Sequence, residues 1–298
     1  MIDFVRLKYQ DRDKMERFVT NSENFKRCYT KMEYHSGEIL YPYNVYIKKM
    51  EVSINEKSVY LKNSLHKMAN YIQYNDDHNY NDFGYKRLCG TIDYLNSKVI
   101  DSLSAKITQL EFGLNINTPV PAEDIIVKNI LFHKYHQCNV NTKFNGKGRY
   151  KQFEYSNFYI KIYDKAKQYK LDNNILRFEI KYKGAKGINP LGVYNLANLK
   201  DKEVLKALFK DLLERFDELT IIDKLTDKVS KKDKKDKKEL TNYLSINYWE
   251  NLSERKNRNL KSIHIKRFNS LLVKNNLLNT KQLLKERLIQ KFETLINN

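Results

Sequence analysis

The residues best suited to chemistry lie between Phe158 and Lys183, in FYIKIYDKAKQYKLDNNILRFEIKYK. Tyr159, Lys161 and Tyr163 alternate with Phe158, Ile160 and Ile162, and Arg177, Glu179 and Lys181 alternate with Leu176, Phe178, Ile180 and Tyr182. Strand side chains point to opposite faces with period two, so each segment reads as a strand with one apolar and one reactive face. If the two strands pair, a phenol, a carboxylate and several cations share one surface, which suits phosphodiester chemistry. A phenolate oxygen can attack phosphorus, and the ester so formed conserves the bond for rejoining. Tyr163 is the candidate nucleophile, Tyr159 is the alternative on the same face, and Lys165 is the second candidate catalytic residue. A free phenol titrates at about 10, so cations or a metal must bring it down. Lys161 and Lys165 stand two residues to either side of Tyr163, on the same face if the strand continues.

Carboxylates that could hold such a metal sit on similar strands. Glu111 lies in KITQLEFGLNIN (106–117), where Leu110, Phe112, Leu114 and Ile116 face the other way. Glu111 and Glu179 are candidate ligands for Mg²⁺ or Mn²⁺, which prefer hard oxygen donors and keep positions open for phosphate. The alternative for each is a cross-strand ion pair, for instance Glu179 with Lys161. His66, closing an alternating segment at 57–66, is a third candidate ligand. Lys161, Arg177 and Lys181 are candidate phosphate contacts. His133 and His136 are read as structural. No P-loop, GxSxG or HExxH occurs, so nucleotide hydrolysis, serine esterase and zincin chemistry lack support.

Charge points to the partner. Among 298 residues, 55 Lys and Arg outweigh 36 Asp and Glu, for a net charge of +19. That balance favours nucleic acid first and an anionic membrane surface second. The 22 Tyr and 14 Phe interleave with the cations, as single-strand binding requires, although an AT-rich genome would also raise Tyr and Asn. Three widely spaced cysteines and no CxxC point to a reducing setting without a structural zinc. No signal peptide and no 18-residue apolar run is read, so no membrane span is expected.

The elements that must position these residues follow from periodicity. Strands are predicted at 1–9, 29–35, 45–53, 57–66 and 106–117. Helices are predicted at 10–27, 81–99 and 122–135, a polar loop at 70–80 and a mobile loop at 139–152. Gly184, Gly187 and Pro190 then break the pattern. Leu205, Leu208, Phe209, Leu212, Leu213 and Phe216 mark an amphipathic helix. The lysine run at 230–238 reads as a solvated linker, and 239–298 as helical. The expected fold is α+β: a central antiparallel sheet with flanking helices over 1–195, then a smaller all-helical domain over 196–298. The tail carries RKNRNLKSIHIKR (255–267), from which Arg255, Arg258, Lys261, Lys266 and Arg267 are candidate DNA contacts.

Five segments together resemble replication initiators of the filamentous-phage gene II/X type, and the last two are also similar to plasmid rolling-circle initiators. They are MIDFVRL (1–7), SLHKMAN (64–70), LEFGLNI (110–116), YIKIYDK (159–165) and LRFEI (176–180). The resemblance covers roughly 1–195. It implies an enzyme that nicks one strand at a replication origin with a tyrosine and a divalent metal, Mg²⁺ or Mn²⁺. Such an enzyme stays attached through a 5′-phosphotyrosine and later rejoins the strand. Its expected partners are origin DNA in single- and double-stranded form, a host helicase and polymerase, and a second copy of the chain, in a bacterial host cytoplasm. Two departures stand out: Gln168 occupies a position where that group usually has Glu, and no His-hydrophobic-His triplet is present. The competing reading is a non-catalytic DNA-binding protein of similar fold. A third, an RNA-binding accessory factor, rests on charge and aromatics alone.

Overall fold

Alternation of apolar and polar residues builds ten of the strands into one antiparallel sheet. The computed structural model describes residues 1–144, 148–225, 234–252 and 258–298. The strands are β1 (Ile2–Tyr9), β2 (Tyr29–Met32), β3 (Ile39–Ile47), β4 (Met50–Ile54), β5 (Val59–Ser64), β6 (Lys106–Asn117), β7 (Ile130–His133), β8 (Val140–Phe144), β9 (Gly148–Glu154), β10 (Phe158–Asp164), β11 (Ile175–Tyr182) and β12 (Leu219–Ile221). Ten of them form a sheet in the order β2-β3-β4-β5-β1-β6-β11-β10-β9-β8, and β7 pairs with β12 in a second, two-stranded sheet. Helices flank the large sheet: α1 (Arg12–Thr20), α2 (Leu65–Tyr74), α3 (Tyr85–Lys98), α4 (Ala122–Lys128), α5 (Lys165–Tyr169), α6 (Ala185–Ile188) and α7 (Lys202–Asp217). After them come α8 (Lys234–Tyr243), α9 (Ile246–Asn251), α10 (Arg258–Lys274) and α11 (Asn279–Asn297). The fold is therefore α+β with a large antiparallel sheet and C-terminal helices.

One face of the sheet is buried. Leu110, Phe112 and Leu114 of β6 and Phe178 and Ile180 of β11 are nearly inaccessible. Helices α7 and α11 cover them: Phe292 stacks on Phe209 at 4.0 Å and meets Phe112 edge-on at 6.5 Å, while Phe216 meets Phe178 at 5.5 Å. The helical residues after 196 thus divide between two cores. Those of α7 and α11 join the sheet's core, whereas α8, α9 and α10 close a second cluster around Trp249, Tyr243 and Phe268.

Several expected elements have different bounds. The strand expected at 57–66 ends at Ser64, because the Ser64 hydroxyl accepts from Lys67 N and caps α2. That helix then takes residues expected to be loop, as far as Tyr74. The helix expected at 122–135 stops at Lys128, and β7 follows. The loop expected at 139–152 is instead β8 and β9, paired in register from Val140 opposite Gln152. Part of the lysine run (230–233) and Arg255 lie outside the described residues. No helix is long and apolar enough to cross a membrane among those described.

Candidate metal and phosphoryl-transfer site

Register aligns the reactive faces of three central strands. Lys161 of β10 lies opposite Glu179 of β11, and Tyr163 opposite Arg177. Across the other edge of β11, Lys181 pairs with Glu111 of β6, Glu179 with Gly113, and Arg177 with Asn115. Gly113 leaves the space that Glu179 fills: a Cβ there would stand 2.3 Å from the Glu179 Cβ and 2.8 Å from its Cα. In β1 the pairing with β6 shifts between Ile2 and Val5. Ile2 and Val5 both enter the core, and Asp3 is turned toward Glu179 and Arg177.

Oxygen atoms of Asp3, Glu111 and Glu179 lie within 4.8 Å of one another. Cations of the chain hold them together. The Lys161 ammonium is 2.8 Å from Glu111 and 3.1 Å from Glu179, and Lys181 is 3.1 Å from Glu111. The Arg177 guanidinium donates to Glu179 at 2.5 Å, to Asn115 at 3.0 Å and to Asp3 at 3.3 Å. Asp3 also accepts from Ser64 and, at 2.6 Å, from the Asn79 amide. Burial opposes ionisation of Asp3, but Arg177 and Lys165 prevail and hold its carboxyl below the ordinary range. For Glu179 burial likewise raises the pKa, and Arg177 and Lys161 outweigh it and lower it.

The candidate nucleophile stands against this cluster. The Tyr163 hydroxyl donates to Glu179 at 3.4 Å. Burial, then the Glu179 carboxylate, raise its pKa well above 10. The expected stabilisation of the phenolate by neighbouring lysines is absent from this arrangement, because those cations face carboxylates or amides. Tyr159 lies on the same face, four residues away, with the Lys183 ammonium 4.2 Å above its ring.

Other expected residues are placed differently from the reading of the sequence. Asp164 caps α5 through Lys167 N and ends the strand, so Lys165 opens a helix rather than continuing β10. Its buried ammonium donates to Asn79 Oδ1 at 2.7 Å and lies 5.4 Å from the Tyr163 ring. Burial first, and Arg177 second, lower it to about 7. His66, expected as a ligand on a strand, sits in α2, stacks on Phe83 at 4.8 Å and bonds Asn81 at 2.7 Å. It lies outside the cluster of three carboxylates, and burial lowers its imidazole to about 3. Arg177, expected on phosphate, is only 3% exposed and is committed to Glu179, Asn115 and Asp3. Lys161 and Lys181 likewise face carboxylates. In the tail, Lys266 is exposed and Arg267 pairs with Glu239 at 2.7 Å and Asp236 at 3.0 Å. Lys261 lines a cleft of about 570 Å³ with Lys134 and Tyr135. Arg258 begins α10, and its side chain is outside what is described.

Asp3, Asn79 and Gly113 were missed by the reading of motifs. The available signal for Asp3 was an acid set between Ile2 and Phe4 in the opening strand.

The donor set fits a hard divalent cation. Three carboxylates converge, and an ammonium already bridges two of them, so positive charge is what the pocket is built to receive. Glu111, Glu179 and Asp3 would hold the ion once Lys161 swings aside.

Comparison with known proteins adds little. No family model matches the chain, and no curated protein matches it. Among solved structures, the chain is similar to the rolling circle replication initiator protein from Geobacillus stearothermophilus. The TM-score is 0.43 at 12% identity, covering 79% of this chain and 90% of that one. A likeness that slight assigns no function.

Proposed function

We propose that the chain is a metal-dependent DNA-nicking and strand-joining enzyme that initiates rolling-circle replication. The observation that carries this reading is the convergence of Asp3, Glu111 and Glu179 beside the Tyr163 hydroxyl, on a strongly basic protein. The resemblance of five sequence segments to phage and plasmid initiators supports it. In the reaction the Tyr163 oxygen attacks a phosphorus of the scissile strand. A 5′-phosphotyrosine bond forms, the phosphorus–O3′ bond breaks, and the 3′-hydroxyl leaves with a proton. The reverse attack by a 3′-hydroxyl restores the strand and frees the tyrosine. Glu179 already accepts the phenolic hydrogen bond, so the proton lost from Tyr163 has a carboxylate to move toward. A divalent cation held by the three carboxylates would supply the charge that lowers the phenol's pKa and stabilises the phosphate oxygens. Lys161, once released from the glutamates, would be placed to meet those oxygens.

The test uses a supercoiled plasmid carrying the replicon that encodes the chain, with Mn²⁺. Wild type should yield open circles. Glu111→Gln and Glu179→Gln should each yield none while binding the plasmid within several-fold of wild type. Wild-type rates in either variant at saturating metal would remove that residue from the site.

A non-catalytic DNA-binding protein is the second reading. Its support is the internal neutralisation of all three carboxylates by Arg177, Lys161 and Lys181, together with Gln168 in place of an expected acid. Absence of open circles with wild type, alongside tight binding, would favour it.

A further inference from the structure

The reactive face does not end at the carboxylates. Beyond them it continues across β1, β5, β4, β3 and β2. Register fixes which residues share it: Arg6 lies opposite Lys62 on β5, Lys62 opposite Glu51 on β4, and Glu51 opposite Tyr46 on β3. Tyr60 stands one step along the same face, opposite Lys8 and Ser53. Successive strands lie about 4.8 Å apart, so the path from β10 to β3 spans roughly 29 Å.

Rings and cations alternate along that path. Lys181, beside Glu111, lies 4.6 Å over the Phe4 ring, and the Arg6 guanidinium lies 5.1 Å over Tyr60. Farther out, Tyr46 and Tyr29 meet edge-on at 5.8 Å and are 53% and 52% exposed. An antiparallel sheet can face water with polar residues, and nothing in the packing of this one requires exposed rings. On this part of the face, among the described residues, Glu51 is the acid on β2 to β5, and Lys62 pairs with it at 3.3 Å. The surplus is cationic.

We propose that this face is a track for single-stranded DNA, leading an unpaired strand to the carboxylate centre. The proposal rests on the reading above for the direction of travel, and on rings and charges for the occupant. Bases offer flat faces only where they are unstacked, and rings interleaved with cations accept them regardless of sequence. A duplex keeps its base faces internal and would gain only from the cations.

The test is fluorescence anisotropy in EDTA, with a labelled mixed-sequence single strand of about 12 nucleotides and its duplex. Tyr46→Ala changes a ring more than half exposed and so leaves the core intact; Phe4→Ala and Tyr60→Ala probe the inner path, with Tyr60→Phe as the variant that keeps the ring. Each alanine should weaken single-strand binding about 5- to 150-fold, from about 1–3 kcal/mol per stacked base, and leave duplex binding nearly unchanged. Tyr60→Phe should bind like wild type. Lys62→Gln should reduce the slope of log affinity against log salt by about 0.7. Alanine variants that bind the single strand like wild type, or that lose both forms equally, would overturn the track. Repeating the assay with Mn²⁺ separates the two claims. Loss of affinity in the ring variants with no wild-type adduct keeps the track and removes the nicking reading. A wild-type adduct with unaffected ring variants does the reverse.

Discussion

Lys161 and a divalent cation compete for the same oxygens. Its ammonium lies 2.8 Å from Glu111 and 3.1 Å from Glu179, where an ion would sit. Charged hydrogen bonds are worth about 1.5–3 kcal/mol, so losing this competitor should tighten metal binding by about tenfold or more. Calorimetry of Mn²⁺ binding to Lys161→Met reads that change; an unaltered affinity would show that the ammonium does not stand in the way. Lys165 makes a separate prediction about pH. It is 1% exposed, and its pKa falls from 10.5 to about 7 through burial first and Arg177 second. Between those values the unfolded chain binds a proton that the folded chain lacks, so stability rises with pH across that window. The penalty is complete below about pH 7 and fades toward 10.5. Urea unfolding at two pH values in that window should show this rise in wild type, and Lys165→Met should lose about 1–2 kcal/mol of it, at about 1.4 kcal/mol per pKa unit. An equal rise in the variant would mean that Lys165 does not titrate there.

At the scale of elements, the close approach of β6 and β11 decides where Glu179 lies. Gly113→Ala would drive a Cβ to 2.3 Å from the Glu179 Cβ and 2.8 Å from the Phe178 carbonyl oxygen. Backbone on one side cannot yield cheaply, so the variant should lose about 1–3 kcal/mol in urea unfolding and bind Mn²⁺ more weakly. Gly90→Ala in α3, with nothing within 4 Å, should instead gain up to about 1 kcal/mol. These strands were the legible part of the sequence. Period-two alternation placed the strand at 106–117 and two strands within 158–183, and put Glu111, Glu179 and Tyr163 on their polar faces. Asp3 was hidden because a register shift in β1 turns it, and alternation alone cannot count through an extra residue. The β8–β9 hairpin was hidden because Gly, Lys and Asn signal loops locally, whereas its pairing is a tertiary fact. The end of β5 was hidden because Ser64 serves both as its last residue and as the cap of α2.

For the whole molecule, the C-terminal helices are part of the scaffold beneath the site. Leu284, Leu288 and Phe292 of α11 belong to the same core as Phe112 and Phe178. Removing the tail would therefore expose the underside of the sheet, and a weaker affinity for DNA would say nothing about contacts. Phe292→Ala alone should cost about 3–5 kcal/mol in urea unfolding, since Phe292 packs on Phe209 at 4.0 Å. A cost near zero would mean that α11 is loosely docked. Point changes at exposed cations answer the binding question instead. Lys266→Gln should flatten the salt dependence of duplex affinity by about 0.9 in the log–log slope if that ammonium meets a phosphate, and an unchanged slope would remove it from the interface.

Covalent capture tests the central claim most directly. Wild type and Tyr163→Phe are incubated with Mn²⁺ and labelled single-stranded oligonucleotides that tile the encoding replicon, then run on a denaturing gel. Peptide mapping of the shifted band locates the attached residue. Tyr163 stands 3.4 Å from Glu179 within the carboxylate cluster, so wild type should form an adduct that maps to Tyr163. Tyr163→Phe should bind the same oligonucleotide and form none, and Tyr159→Phe should still form it. An adduct that persists in Tyr163→Phe, or that maps to another tyrosine in wild type, would contradict the account.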